Sequence, residues 1–163
     1  MLLVLVGTLT ACSTPKPPPQ QLFQRTAQVE AILDPKYSLT PQSPIALSPE
    51  EKTSIEDRKF GALLSSQLAT NAFNVVNRQQ ADFIIAYSTT NIIASSESYS
   101  FLMKHIWLKA YATTDLRVGK VKTSWEGRIY LFASDYDKNP VFVIRTLLSY
   151  FGKDFQGEIR LRE

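Results

Sequence analysis

The sequence has one cysteine and one histidine among its 163 residues. A single cysteine excludes an internal disulfide and a thiolate cluster, and a single histidine excludes a His-rich metal site. The six glycines are isolated, so there is no glycine-rich phosphate loop, and no Gly-x-Ser-x-Gly elbow exists to seat a nucleophile. Lys and Arg number 18 against 15 Asp and Glu, a net charge of +3, and the basic residues are scattered along the chain. Phosphate binding needs a concentrated basic surface, so no nucleic-acid partner is expected. No apolar run reaches the roughly 20 residues that span a bilayer as a helix. What is there, 44% hydrophobic and 20% charged residues, is the composition of a globular domain with one core.

The lone cysteine has a distinctive setting. Residues 1–9 are apolar apart from Gly7 and Thr8, which suits the apolar region of a secretory signal, and Leu9-Thr10-Ala11-Cys12 follows. This stretch resembles the lipobox of bacterial lipoproteins. The resemblance implies cleavage between Ala11 and Cys12 and a lipid on Cys12, which would also remove a free thiol from an oxidising compartment. Ser13, where an aspartate would favour retention in the inner membrane, implies the periplasmic face of the outer membrane of a Gram-negative bacterium. No Lys or Arg precedes the apolar run, so translation is expected to start upstream of Met1. The competing reading of residues 1–12 is a buried strand ending in Ala-Cys. Against it, Ser13-Thr14-Pro15-Lys16-Pro17-Pro18-Pro19 follows at once, and proline lacks the amide hydrogen that helix and central strand require. The chain thus divides into a signal at 1–11, a proline-rich tether at 12–22 and a single domain at 23–163.

Within the domain, residues 26–33 suit a helix or an edge strand, and 37–40 suit a short strand closed by Pro41 and Pro44. Ser48-Pro49-Glu50-Glu51 reads as a helix start, with serine as cap, proline in the first position and acids in the first turn. That helix is expected to run to about Ala69, with Ile55, Phe60, Leu63, Leu64 and Leu68 on its core face. Short and long strands are expected at 73–76 and 81–90, and a serine-rich loop at 91–100. Residues 104–114 alternate, placing Ile106, Leu108, Ala110 and Ala112 on one face and His105, Trp107, Lys109 and Tyr111 on the other. A hairpin connection containing Gly119 leads to 123–133, where Trp125, Gly127, Ile129 and Leu131 share one side and Glu126, Arg128, Tyr130 and Phe132 the other. A last helix is capped by Asp137 or Asn139, carries Pro140 in its first turn and ends at Gly152. Alternating charge in Glu158-Ile159-Arg160-Leu161-Arg162 suits a closing edge strand.

This order predicts an α+β fold: a two-layer sandwich with a largely antiparallel sheet of about five or six strands and two main helices on one face. The run Ala69-Thr70-Asn71-Ala72-Phe73-Asn74-Val75-Val76, then Gln80-Ala81-Asp82-Phe83 with Ile84, Ile85, Ala86 and Tyr87, and later Ser124-Trp125-Glu126-Gly127-Arg128, resembles a family of bacterial lipoproteins, the DUF4136 group. The resemblance spans about residues 37–151. It implies an envelope lipoprotein of α+β fold, and it carries no catalytic residues across.

Site searches point away from catalysis. His105 would have to serve any Ser-His-Asp triad, yet it sits in an alternating strand. Asp135 and Asp137 precede a helix, where capping accounts for them, and Glu50 and Glu51 begin another. No cofactor or metal is implied. Trp107, Tyr111 and Tyr130, with Trp125, form the candidate binding set if they share an uncovered sheet face. Against that, alternation puts Trp125 with Ile129 and Leu131, in ordinary core. The leading expectation is therefore a non-enzymatic module, held to the membrane through Cys12, that binds an envelope protein. The alternatives are a binding protein for a small apolar or glycan ligand, and third a hydrolase-like enzyme.

Overall fold

The computed structural model describes residues 25–48, 54–95 and 100–161. The expected cleavage site and lipid attachment at Ala11 and Cys12, the tether, and Pro49 to Glu51 of the expected helix start lie outside the described residues. Six strands, β1 (Thr26–Leu33), β2 (Ile45–Leu47), β3 (Phe83–Ser95), β4 (Ser100–Ala112), β5 (Thr123–Phe132) and β6 (Phe155–Arg160), form one sheet in the order β2-β3-β4-β5-β1-β6. Every neighbouring pair is antiparallel except β2 with β3. The helices are α1 (Ile55–Thr70), α2 (Thr113–Arg117), α3 (Ala133–Lys138) and α4 (Pro140–Ser149). The fold is α+β, a sheet backed by α1 and α4, as the element order predicts.

Alternation decides the two sides of the sheet. On β4, Ile106, Leu108, Ala110 and Ala112 are buried, and on β5 so are Trp125, Ile129 and Leu131. They pack against Phe60, Leu64 and Leu68 of α1 and Val143, Ile144, Leu147 and Leu148 of α4 in one core. Gly127 belongs to this face for a steric reason. A Cβ there would stand 2.5 Å from the Trp125 ring, so only glycine lets the indole lie across its own strand. The indole N–H donates to the Lys153 carbonyl at 3.3 Å, which satisfies its one polar atom.

Several local expectations change. Residues 26–33 form a strand, but an interior one: β1 lies between β5 and β6, a long-range pairing that no local pattern encodes. Residues 37–40 form no strand, and the short strand is β2 instead, which runs parallel to β3. At 73–76 only Val75 bridges Ile45. The described helix α1 is capped by Ser54, whose Oγ accepts from the Asp57 N–H at 2.9 Å, in place of Ser48. Ile55 is its first residue and is 63% exposed, so it lies outside the core stripe. The serine-rich segment is largely strand, since β3 continues to Ser95 and pairs with β4 down to Ser95↔Ser100. The last helix behaves as read, with the Asn139 Oδ1 accepting from the Phe142 N–H at 3.1 Å and Pro140 in the first turn; the alternative cap, Asp137, belongs to α3. Gly152 follows with φ +69° against the Leu39 carbonyl, a place that excludes any Cβ.

Candidate binding face

Among the described residues, the side of the sheet opposite α1 and α4 is covered only at one corner. There Leu116 of α2 and Val76 pack on Ala46, Ala81 and Ile84. Beyond that corner, the odd-numbered residues of β4, the even-numbered residues of β5 from Glu126 onward and those of β1 look outward, while Ser124 is buried. The register sets them in rows: Ser88, Trp107, Arg128 and Glu30 are successive neighbours, and so are Thr90, His105, Tyr130 and Gln28.

Two of the three candidate aromatics, Trp107 and Tyr130, lie in adjacent rows of this face. The His105 and Tyr130 rings stack with centroids 4.2 Å apart and planes within 4°. Trp107 stands next to His105 along β4, one row from Tyr130. Tyr111 is separate: four residues farther along β4, about 13 Å from Trp107 at the rise of a strand. It lines a hollow of about 200 Å³ with Ile84, Ala86, Leu116 and Val121. Trp125, the fourth aromatic of the set, is in the core.

A charge ladder, which the sequence reading did not assemble, borders the aromatics. Arg128 Nε donates to Glu126 Oε1 at 2.6 Å, Lys109 Nζ lies 3.6 Å from the same oxygen, and Arg128 reaches Glu30 at 3.9 Å. The Lys109 ammonium also sits 5.0 Å from the centre of the Trp107 ring. The strand parity of Lys109, Glu126 and Arg128 is visible locally, but Glu30 joins only through the β1–β5 register. The bond to Glu126 raises the Arg128 pKa above its ordinary value. His105 moves the other way. Burial lowers its pKa below the ordinary 6.5, helped by the nearby Arg128 and Lys109 charges and opposed by Glu126. Its Nε2 is buried and has no hydrogen-bond partner among the described residues. The imidazole is therefore held towards its neutral form as a flat stacking partner.

Hollows also lie elsewhere, two of which bear on the candidate residues. One, of about 380 Å³, is lined by the apolar Phe142, Val143 and Leu161 and by the charged Arg25, Asp135 and Lys138. Asp135 is explained there without chemistry: its buried carboxylate pairs with Arg25 at 3.3 Å. The second, of about 280 Å³, contains Lys104, a cation buried on the core side of β4. Its ammonium bonds Glu56 at 2.8 Å and lies 5.2 Å from the Tyr136 ring centre. Burial, with Asp137 and Glu56 adding to it, raises the Tyr136 pKa, keeping the phenol protonated. No group of three or more His, Cys, Asp or Glu suited to a metal occurs among the described residues. No described helix is long and apolar enough to cross a membrane.

No protein-family model and no curated protein matches the chain. Solved structures do. A PelC dodecamer from Paraburkholderia phytofirmans aligns over 76% of this chain and 96% of its own, at 10% identity and a TM-score of 0.50. A PDZ domain protein from Parabacteroides distasonis aligns over 86% of this chain and 41% of its own, at 10% identity and a TM-score of 0.46. A minor lipoprotein from Acinetobacter baumannii aligns over 67% of this chain and 85% of its own, at 12% identity and a TM-score of 0.32. At these identities the PelC likeness is one of fold alone. The chain is thus similar in fold to the PelC subunit, and its resemblance to the DUF4136 group rests on the sequence motifs.

Proposed function

We propose that this chain is a lipid-anchored envelope protein, held through Cys12 at the periplasmic face of the outer membrane, whose open sheet face docks another envelope protein without catalysis. The observation that carries the docking part is the pairing of a half-buried aromatic set, Trp107, His105 and Tyr130, with a bordering charge ladder on a face that the described helices cover only at the α2 corner. Aromatics surrounded by charged residues are the composition of a protein-binding surface, where the rings supply contact area and the charges set orientation. The anchor is supported by the lipobox resemblance and by the DUF4136 motifs, both read from sequence. An anchored domain meets an anchored partner at raised effective concentration, so a modest interface suffices.

A photo-crosslinking residue in place of Trp107 in cells tests the docking face. The expected result is a crosslinked adduct with one envelope protein, absent when the same residue replaces Ser65, an exposed residue of α1 in the layer on the other side of the sheet. Equal or no crosslinking from the two positions overturns the assignment of this face. Cys12→Ala is expected to release the protein from the membrane fraction, and continued acylation would overturn the anchor. The hollow of about 380 Å³ favours a second reading, a small ligand with an apolar body and a charged group, because its lining combines Phe142, Val143 and Leu161 with Arg25, Asp135 and Lys138.

A further inference from the structure

The two edges of the sheet differ in how they are protected. At the β6 edge, Glu158 and Arg160 supply charges that oppose strand addition. At the other edge, β2 covers only Phe83 to Ile85 of a strand that continues to Ser95. One further group is closed off: the Thr89 N–H donates to Asp57 Oδ1 at 3.0 Å, so the Thr89 amide points away from β4. With a strand period of two, the amides of Asn91 and Ile93 point the same way. No described hydrogen bond reaches either of them from that side.

This stretch, open among the described residues, has the composition that natural edges avoid. Phe83 to Ser95 contains no charged residue and no proline, and Ile92 and Ile93 lie in its exposed half. The described end of the β3–β4 pair carries apolar residues on both faces. Ile93, 72% exposed, neighbours Leu102, 51% exposed, on one face, and Ile92 and Phe101, each 42% exposed, lie on the other. Phe132 closes that second face, with its ring 5.7 Å from Phe101.

We infer that this edge pairs antiparallel with the same edge of a second copy, joining two six-stranded sheets across a two-fold axis. Three features select a second copy as occupant. An uncharged segment pairs with itself without setting like charges opposite one another. The Asp57 bond at Thr89 limits free pairing to about Asn91–Ser95, and the register that uses this stretch fully places Ile93 opposite Ile93, Ile92 opposite Ala94 and Asn91 opposite Ser95. The third feature is apolar continuity: a five-residue ladder alone falls short of the area, about 800 Å² from each partner, that a stable interface takes, and in this arrangement the exposed Ile93 and Leu102 of both copies join into one apolar strip that extends it. The contact is isologous, so it closes at two copies.

The test uses the full chain in its native envelope. Opposed residues in a hydrogen-bonded antiparallel pair lie about 5.5 Å apart at Cα, within disulfide range. Ile93→Cys is therefore expected to give a disulfide-linked dimer at least tenfold above the wild type, whose only cysteine is Cys12. Glu158→Cys, on the opposite edge, is expected to stay at the wild-type level. In the detergent-solubilised full chain, Ile93→Lys is expected to weaken self-association at least tenfold by sedimentation, with an unchanged circular dichroism spectrum. A chain that is monomeric at all concentrations, crosslinking of Ile93→Cys only to a different protein, or equal dimer from Ile93→Cys and Glu158→Cys would each overturn the proposal.

Discussion

Trp125 and Trp107 lie on adjacent strands of one sheet and face opposite ways. Trp125 is fully buried, spans the glycine at 127, and packs against Phe151 with ring centres 4.9 Å apart. Trp107 is half-buried, with a lysine ammonium over its ring and an arginine opposite it. The same residue type thus stabilises the fold in one place and decorates a surface in the other. What separates them is strand parity together with the position of α1 and α4. An aromatic count cannot find a binding face until the covered side of the sheet is known.

Substitutions that act on one face and spare the other sharpen this contrast. Trp125→Ala is expected to cost about 3–5 kcal/mol by removing the largest fully buried side chain, read from denaturant unfolding. Gly127→Ala brings a Cβ against the same ring and is expected to cost about 1–3 kcal/mol, because either the ring or the strand has to shift. A similar loss, about 1–3 kcal/mol, is expected for Asp57→Ala, which strips the buried Thr89 N–H of its acceptor. On the outer face, Trp107→Ala is expected to cost about 1 kcal/mol or less in stability. A larger loss there would place Trp107 in the structural core and undo the distinction.

The smallest effect concerns pH. The folded-state pKa of His105 is lowered below 6.5, so the unfolded chain binds that proton more readily. The His105 contribution is neutral above about 6.5 and turns destabilising as pH falls through that value towards the lower folded pKa. His105→Gln is therefore expected to flatten the acid side of the stability profile by comparison with the wild type. Parallel profiles for the two proteins would show that burial does not hold the imidazole neutral.

Ala72 shows how local and non-local demands collide. It comes after the α1 cap residue Asn71 with φ +57°, a left-handed conformation that favours glycine. The composition of Asn71-Ala72-Phe73 does not announce a left-handed turn. Phe73 holds the turn in place: its N–H returns to the Leu68 carbonyl at 3.0 Å, and its ring packs edge-on to Phe151 at 5.1 Å.

By itself the sequence determined what is periodic or capped. Alternation over 104–112 and 123–132 assigned the two faces residue by residue, and Asn139-Pro140 with Gly152 bounded the last helix, because these signals act between residues within a few positions of one another. The α+β class came from the order of those elements. Only the tertiary structure decided that β1 sits inside the sheet between β5 and β6, that β2 runs parallel to β3, that Lys104 is buried beneath Glu56, and that Glu30 completes the charge ladder. Each of these is a contact between segments far apart in the chain, selected by the packing of the whole core, and no local pattern carries it. The resemblance of Leu9-Thr10-Ala11-Cys12 to a lipobox is the reverse case, read entirely from consecutive residues.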